Sequence, residues 1–343
     1  MPGATPPTPA AIAVVTAVVY YLSVSLPLGI GMAVGALAIP ESRGGLVSRG
    51  TRSLALPAAV IVVLAIVLQF HAAARVTAMT VVEYAALALS ACGLVAMRWT
   101  HSRILASGVA IIAILAAVIP NIPLTPIAPN RMATTILTTT HLLAAMTWAG
   151  GLLILGTTAI VLRRNVSQVF DDDRVATDWA QIWERFSLVA LVAVGALIVS
   201  GTWLAWNHVG TPSQFFTTSY GRFLGVKLIL VLALLSAGAY NVRVLLPRIR
   251  VLKRDGDQRG LFHLAAQHFP AVVLGEGLLA IGVLTVVPFL RGSARTEAGW
   301  PSAGPFDMST FATGLALIAF VAVAMWAGTR RSVRPLRPSR PAL

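Results

Sequence analysis

The chain has 343 residues, of which 57% are hydrophobic and only 11% are charged. This composition excludes an ordinary soluble domain and is typical of a protein that crosses a membrane several times. The formal net charge of +14 does not indicate nucleic-acid binding, because the basic residues lie in short segments between long apolar runs. The single cysteine, Cys92, excludes an intrachain disulfide and a thiolate metal cage.

Nine apolar runs are long enough to cross about 30 Å of hydrocarbon as helices. They lie at residues 11–39, 53–72, 78–97, 104–120, 133–162, 186–207, 220–246, 264–290 and 309–328. We predict an all-α polytopic membrane protein with about nine transmembrane helices. Residues 1–130 hold four of them, residues 131–295 hold four more, and residues 296–343 hold the ninth helix and a basic, proline-rich tail.

The loops between these runs differ sharply in their content of basic residues. One alternating set of loops, together with the C-terminal tail, carries nineteen Arg and Lys residues, whereas the other set carries only Arg75, Arg131, Arg291 and Arg295. We call the two sides the arginine-rich end and the arginine-poor end. Because basic residues concentrate in cytoplasmic loops, we predict that the N-terminus lies outside and the C-terminus lies in the cytoplasm.

One histidine, His141, lies inside the fifth apolar run. An ionisable side chain is costly in hydrocarbon, so it is expected to face the interior of the bundle and to serve a function. At about 100° per residue, His141 shares one side of its helix with Thr134, Thr138, Ala145, Trp148 and Leu152. We predict that this side holds a metal or a cofactor between helices. The alternative is that the imidazole only hydrogen-bonds a neighbouring carbonyl or hydroxyl.

Glu276 lies near the middle of the eighth run, where a carboxyl group is expected to be protonated, paired or coordinating a cation. Lys227 in the seventh run is its candidate partner. Tyr220, Lys227, Leu234 and Asn241 recur every seven residues, so they are predicted to share a face that points into the bundle. A structural Glu276–Lys227 salt bridge and a transport role for Glu276 both remain open. Lys227 alternatively extends its ammonium to the outer headgroups.

A second candidate group lies toward the arginine-poor end. His71, Met79 and Glu83 combine an imidazole and a thioether with a carboxylate, a set that suits copper better than hard cations. The alternative for His71 is an ordinary interfacial position. Further candidate metal-capture or exit positions are His208, Asp307 and Met308 near the arginine-poor end, and His263 and His268 near the other.

Three segments between about residues 133 and 295 carry a family pattern. The first is HLLAAMTWAGGLLILG at His141–Gly156. The second, Arg185–Arg248, contains Arg-Phe-Ser, Ser-Gly and Tyr-Gly-x-x-Leu-x-x-Lys. The third is EGLLAIGVLTVVPFL at Glu276–Leu290. In this order and spacing they resemble the copper resistance protein D (CopD) family.

The resemblance implies an inner-membrane component of bacterial copper handling that moves copper inward. It implies that His141, Trp148, Lys227 and Glu276 are the functional positions, with Tyr220 supporting them. It makes residues 131–295 a CopD-like four-helix domain and does not account for the ninth helix. Since the chain lacks a methionine-rich or histidine-rich outer segment, delivery of copper by an extracytoplasmic copper-binding protein is expected.

The leading hypothesis is therefore copper transport or delivery across the bacterial cytoplasmic membrane, through a site near His141. In this hypothesis Glu276 supplies charge compensation or a proton relay, and the partners are the copper ion and the lipid bilayer. One alternative is a b-type haem protein that transfers electrons, with His141 and His71 as the axial ligands. The other is a non-transporting assembly subunit. No nucleophile–base pair, zinc-type His-Glu-x-x-His helix or ATP-binding loop is present, so an enzyme is not expected.

Overall fold

The structure is a computed structural model that describes residues 7–37, 45–73, 75–122, 129–165, 172–257, 260, 263–264, 269–304 and 308–331. All regular secondary structure in these ranges is helical, as the sequence predicts. The chain is a multi-pass membrane protein, because eight of its helices are long and apolar enough to span a bilayer.

The first part of the chain forms five helices. They are α1 (Ala11–Met32), α2 (Leu46–Ser53), α3 (Ala55–Ala72), α4 (Ala78–Ala96) and α5 (Arg103–Val118). A π-helical turn, Ala33–Leu37, continues α1, and a 3-10 turn, Ile119–Asn121, continues α5.

The second part forms eight more helices. They are α6 (Pro129–Asn165), α7 (Asp172–His208), α8 (Gln214–Thr217), α9 (Ser219–Tyr240), α10 (Leu246–Asp255), α11 (Phe269–Val286), α12 (Ala294–Glu297) and α13 (Met308–Arg331). A π-helical turn, Asn241–Leu245, joins α9 to α10, and a 3-10 turn, Val287–Phe289, follows α11.

The eight candidate spans coincide with the first eight predicted runs. The ninth run also forms a helix, α13, but the apolar stretch found within its described residues is only Phe311–Phe320. A ninth span therefore stays a prediction. The predicted connection Arg163–Arg185 is mostly helical, since α6 ends at Asn165 and α7 begins at Asp172.

Helix α1 connects the two parts of the chain. It packs against α3, α4 and α5 on one side and against α6 on the other. The contact with α6 is one of backbone against backbone: a Cβ atom added to Gly150 would overlap the carbonyl oxygen of Ser25, and one added to Gly29 would overlap the carbonyl oxygen of Gly150. Small residues at such spacing let membrane helices approach closely. Helix α6 also packs against α7 and α11, and α11 in turn against α9.

Two arginines tie helix ends together at the arginine-rich end. Arg52 is buried and donates to the Thr100 carbonyl at 2.6 Å, and Arg185 donates to the Leu37 carbonyl at 3.1 Å. Carbonyls at the end of a helix lack intrahelical donors, and a guanidinium satisfies them while favouring the negative end of the helix dipole. Side chains therefore link neighbouring helices at this end.

Candidate metal site

His141 lies on α6 and faces α7. Its Nδ1 atom is 3.0 Å from the Oγ atom of Ser200, and a Cβ atom on the neighbouring Gly201 would lie 3.5 Å from the Cε1 atom of the ring. Ser200 is fully buried and stands eight residues before the end of α7, about 12 Å along the helix axis. The imidazole is therefore held between two helices, nearer the arginine-poor end.

The hydrogen bonds of Ser200 fix the tautomer of His141. Ser200 Oγ donates its only hydrogen to the carbonyl of Ala196 at 2.5 Å. It therefore accepts from Nδ1–H of His141, and in the neutral ring the lone pair is left on Nε2. The backbone of Leu197 also contacts the ring. A metal-binding histidine is commonly held in this way by a hydrogen bond to its other nitrogen.

The surroundings of His141 agree only partly with the predicted stripe. Trp148, seven residues further along α6, is buried as predicted. Lys227 on α9 is close enough to interact electrostatically with the imidazole, so the two residues lie at similar depth. A lysine ammonium beside the ring disfavours a second cation there when it is charged. The site thus combines one available imidazole nitrogen with a cation that opposes tight metal binding.

Glu276 does not join His141. The neighbour of Glu276, Gly277, lies against Leu153 of α6, and Leu153 is twelve residues from His141, about 18 Å along the helix. Glu276 is instead buried against the π-helical turn after α9, where it accepts a hydrogen bond from Asn241 Nδ2 at 2.5 Å. A single site formed by His141 and Glu276 is therefore not what the structure shows.

The predicted Glu276–Lys227 salt bridge is also wrong. Asn241, the partner of Glu276, follows Lys227 by fourteen residues, about 21 Å along the helix. The heptad face itself is confirmed, since Tyr220, Leu234 and Asn241 are all buried. The sequence spacing correctly placed these side chains on one face of α9. It did not reveal that Glu276 meets this face at Asn241, far from Lys227.

The second candidate group, His71, Met79 and Glu83, stays a prediction. Glu83 hydrogen-bonds the hydroxyl of Tyr20 on α1. His71 is exposed at the end of α3, where its ring contacts Phe70 edge-on. Met79 is partly exposed in the first turn of α4. Among the described residues no three His, Cys, Asp or Glu side chains come together to hold a metal ion.

Haem ligation by His141 and His71 is not supported. His141 faces Ser200 on α7, whereas His71 is exposed on α3, which packs against α1 and α4. Two axial ligands must approach one iron from opposite sides, and these imidazoles lie on different faces of the bundle. The haem hypothesis is therefore withdrawn.

The arginine-poor end has an ordered surface built around Tyr220. The ring of Tyr220 stacks on His208, with centroids 5.6 Å apart. The carboxylate of Glu297 accepts from the backbone N–H groups of Ser219 and Tyr220, which places an anion at the N-terminus of α9. His208 itself donates from Nδ1 to the carbonyl of Leu204 at 2.7 Å, so a role in metal capture stays a prediction.

The remaining capture and exit candidates add no further ligand group. His263 and Met308 are exposed. His268 and Asp307 lie outside the described residues.

Sequence reasoning missed the three polar partners: Ser200 for His141, Asn241 for Glu276 and Tyr20 for Glu83. Ser200 and Asn241 both carried a signal, since the first belongs to the Ser-Gly pair of the family pattern and the second to the heptad face of α9. Tyr20 carried none, because its position on α1 has no fixed relation in sequence to Glu83.

One of three comparisons with known proteins gave a match. A family model described as copper resistance protein D matches residues 180–290, which include most of α7 and all of α9 and α11. The family predicted from the sequence is confirmed for this part of the chain, and His141 precedes it. Neither the curated proteins nor the solved structures contain a match to this chain.

Proposed function

We propose that this protein carries copper inward across the bacterial cytoplasmic membrane, past His141. The match of residues 180–290 to the copper resistance protein D family model supports a membrane protein related to copper resistance. The basic loops support the orientation on which this direction depends, with the arginine-rich end in the cytoplasm. Copper enters at the arginine-poor end, meets His141 in that half of the membrane, and leaves among the basic loops. The ion is the cargo of this protein.

The observation that carries the proposal is the fixed tautomer of His141. The ring is half-buried on a polar helix face, its Nδ1–H is committed to Ser200, and its Nε2 lone pair is left for a ligand. Imidazole nitrogen is a good ligand for copper ions. One imidazole beside Lys227 makes a weak site, and weak binding suits transit, because an ion that is to move on must also be released.

We infer that the driving force is the ion gradient and the membrane potential. The sequence contains no ATP-binding loop. Moving one positive charge inward across a potential of about 100 mV releases about 2.3 kcal/mol. This free energy favours import of a cation in the proposed orientation without further coupling.

The Ser200→Ala variant tests the observation on which the proposal rests. Removing the hydroxyl leaves the ring orientation and the tautomer of His141 undetermined, so we expect copper(I) affinity to fall roughly ten- to hundredfold, as for other outer-shell partners of metal ligands. The measurement is competition of the detergent-purified protein with a chromophoric copper(I) chelator. Ser187→Ala is the matched control, because Ser187 on the same helix also donates to a carbonyl one turn back, that of Trp183, but has no histidine partner. Equal affinity in the two variants would contradict the proposed role of Ser200.

A non-transporting assembly subunit is the second candidate function. It is favoured by the pairing of three ionisable groups with neutral partners on other helices: His141 with Ser200, Glu276 with Asn241, and Glu83 with Tyr20. Such pairs specify helix packing without any ligand. Under this candidate the purified wild-type protein binds no copper(I) above the level of a His141→Ala variant.

A further inference from the structure

The buried pair of Glu276 and Asn241 has no place in the copper path described above. Glu276 is 3% exposed and Asn241 is 6% exposed. Glu276 stands seven residues into α11, about 10 Å from its first residue at the arginine-rich end. Asn241 begins the π-helical turn that interrupts the helix after α9, and π-turns of this kind are frequent at functional sites.

Among the described residues no cation contacts the carboxylate. Glu276 contacts the amide of Asn241, and Lys227 lies about 21 Å away along α9. An isolated carboxylate in a medium of low dielectric constant is expensive. Binding a proton neutralises the carboxylate and removes this free-energy cost. The environment therefore favours a carboxyl group that changes its protonation state.

The side chain of Asn241 is suited to both protonation states of Glu276. Its Nδ2 donates to Glu276 Oε1, while its Oδ1 is buried without a hydrogen-bond partner. When Glu276 is protonated, a flip of the amide turns Oδ1 toward the carboxyl O–H, which then donates to it.

The helices that pack against α11 bring no other titratable group to this depth. They are α1, α6 and α9. Helix α6 has no titratable residue from Leu142 to Leu162, and α1 has only Tyr20 and Tyr21. On α9 and the π-turn the titratable groups are Tyr220, Arg222, Lys227, Tyr240 and Arg243. Of these only Tyr240 and Arg243 lie within one turn of Asn241, and both are exposed.

We propose that Glu276 and Asn241 form a proton-binding site, separate from the copper site at His141, that takes up and releases one proton during transport. In this step the carboxylate oxygen of Glu276 accepts a proton from water, and returns it to water when it ionises again. The coupling to copper rests on the proposed function, whereas the proton site itself does not.

Infrared difference spectroscopy of the purified full-length protein without copper tests the site directly. Acidification is expected to produce the absorption of a protonated carboxyl group in the wild type. Glu276→Gln should abolish this band while keeping an acceptor for Asn241, and Asn241→Ala should shift it. Glu184→Gln is the matched control, because Glu184 is an accessible carboxylate paired with Arg250. This substitution should leave the infrared band of Glu276 unchanged. A difference spectrum that Glu276→Gln leaves unaltered would overturn the proposal.

The coupling is tested in vesicles that contain a trapped pH indicator. Addition of copper(I) to wild-type vesicles is expected to produce a proton flux, and Glu276→Gln should reduce it at least tenfold while copper(I) binding is retained. An undiminished proton flux in this variant would overturn the coupling. If wild-type vesicles move no copper but the infrared band titrates and depends on Glu276, the proposed function fails and the proton site stands.

Discussion

A Gly150→Leu variant is expected to lose the contact between α1 and α6 and, with it, the assembly of the two parts of the chain. No rotamer relieves the overlap, because the first atom of the new side chain already meets the carbonyl oxygen of Ser25. Overpacking of a core by added methylene groups costs about 1–3 kcal/mol, and a clash with backbone is expected to exceed that range. The variant should therefore unfold at lower temperature or aggregate in mild detergent, as measured by thermal unfolding and size-exclusion chromatography.

Gly225→Leu is the matched control for this prediction. Gly225 lies on α9, also within a candidate span, and a Cβ atom added there has no other atom within 4 Å. This variant should behave as the wild type does. If Gly150→Leu were as stable as Gly225→Leu, the close approach of α1 and α6 would be wrong.

A His141→Ala variant is expected to lose bound copper(I). Alanine removes the only imidazole nitrogen at this site, and Ser200 offers a hydroxyl that is a poor ligand for a soft cation. Equilibrium dialysis of the purified protein against saturating copper(I) should show close to one ion per wild-type chain and almost none per variant chain. The change should leave the fold intact. The imidazole contacts Ser200 and Gly201 on α7, so its removal leaves no buried charge without a partner there.

His71→Ala serves as the control for copper binding. His71 is exposed at the end of α3 and makes no contact with His141 in the described structure. Copper content equal to that of the wild type is expected for this variant. If the two histidine variants retained the same copper as the wild type, neither imidazole would be a ligand and the assembly-subunit function would be favoured.

The eight spans and the buried faces of single helices could be predicted from the sequence. Length and hydropathy determine the first, because a helix must cover the hydrocarbon. Angular spacing determines the second, as the burial of Tyr220, Leu234 and Asn241 on one side of α9 shows. Both properties belong to one helix at a time, so no knowledge of its neighbours is needed.

The partners of the polar residues could not be predicted, because they depend on which helices are neighbours and at what depth they meet. Glu276 and Lys227 lie on the adjacent helices α11 and α9, yet these run in opposite directions and bring Asn241 to Glu276 instead. The same reason applies to Glu83, whose carboxyl group hydrogen-bonds Tyr20 of α1.

The structure also changes what the CopD resemblance implies for the site. The resemblance grouped His141, Trp148, Lys227 and Glu276, whereas the described contacts place His141 and Lys227 together toward the arginine-poor end and Glu276 toward the other. The two polar sites are therefore separate along the bundle, one at each end of it.

Copper flux into proteoliposomes is the measurement that tests the central claim most directly. Vesicles with a trapped copper(I) indicator, an inside-negative potential and either wild-type protein or the His141→Ala variant should be compared at equal protein content, with His71→Ala as the control. The proposed function predicts uptake by the wild type and by His71→Ala, and a rate for His141→Ala that equals that of protein-free vesicles. Wild-type uptake that His141→Ala leaves unchanged, or no uptake by any of the three, would contradict copper transport through His141.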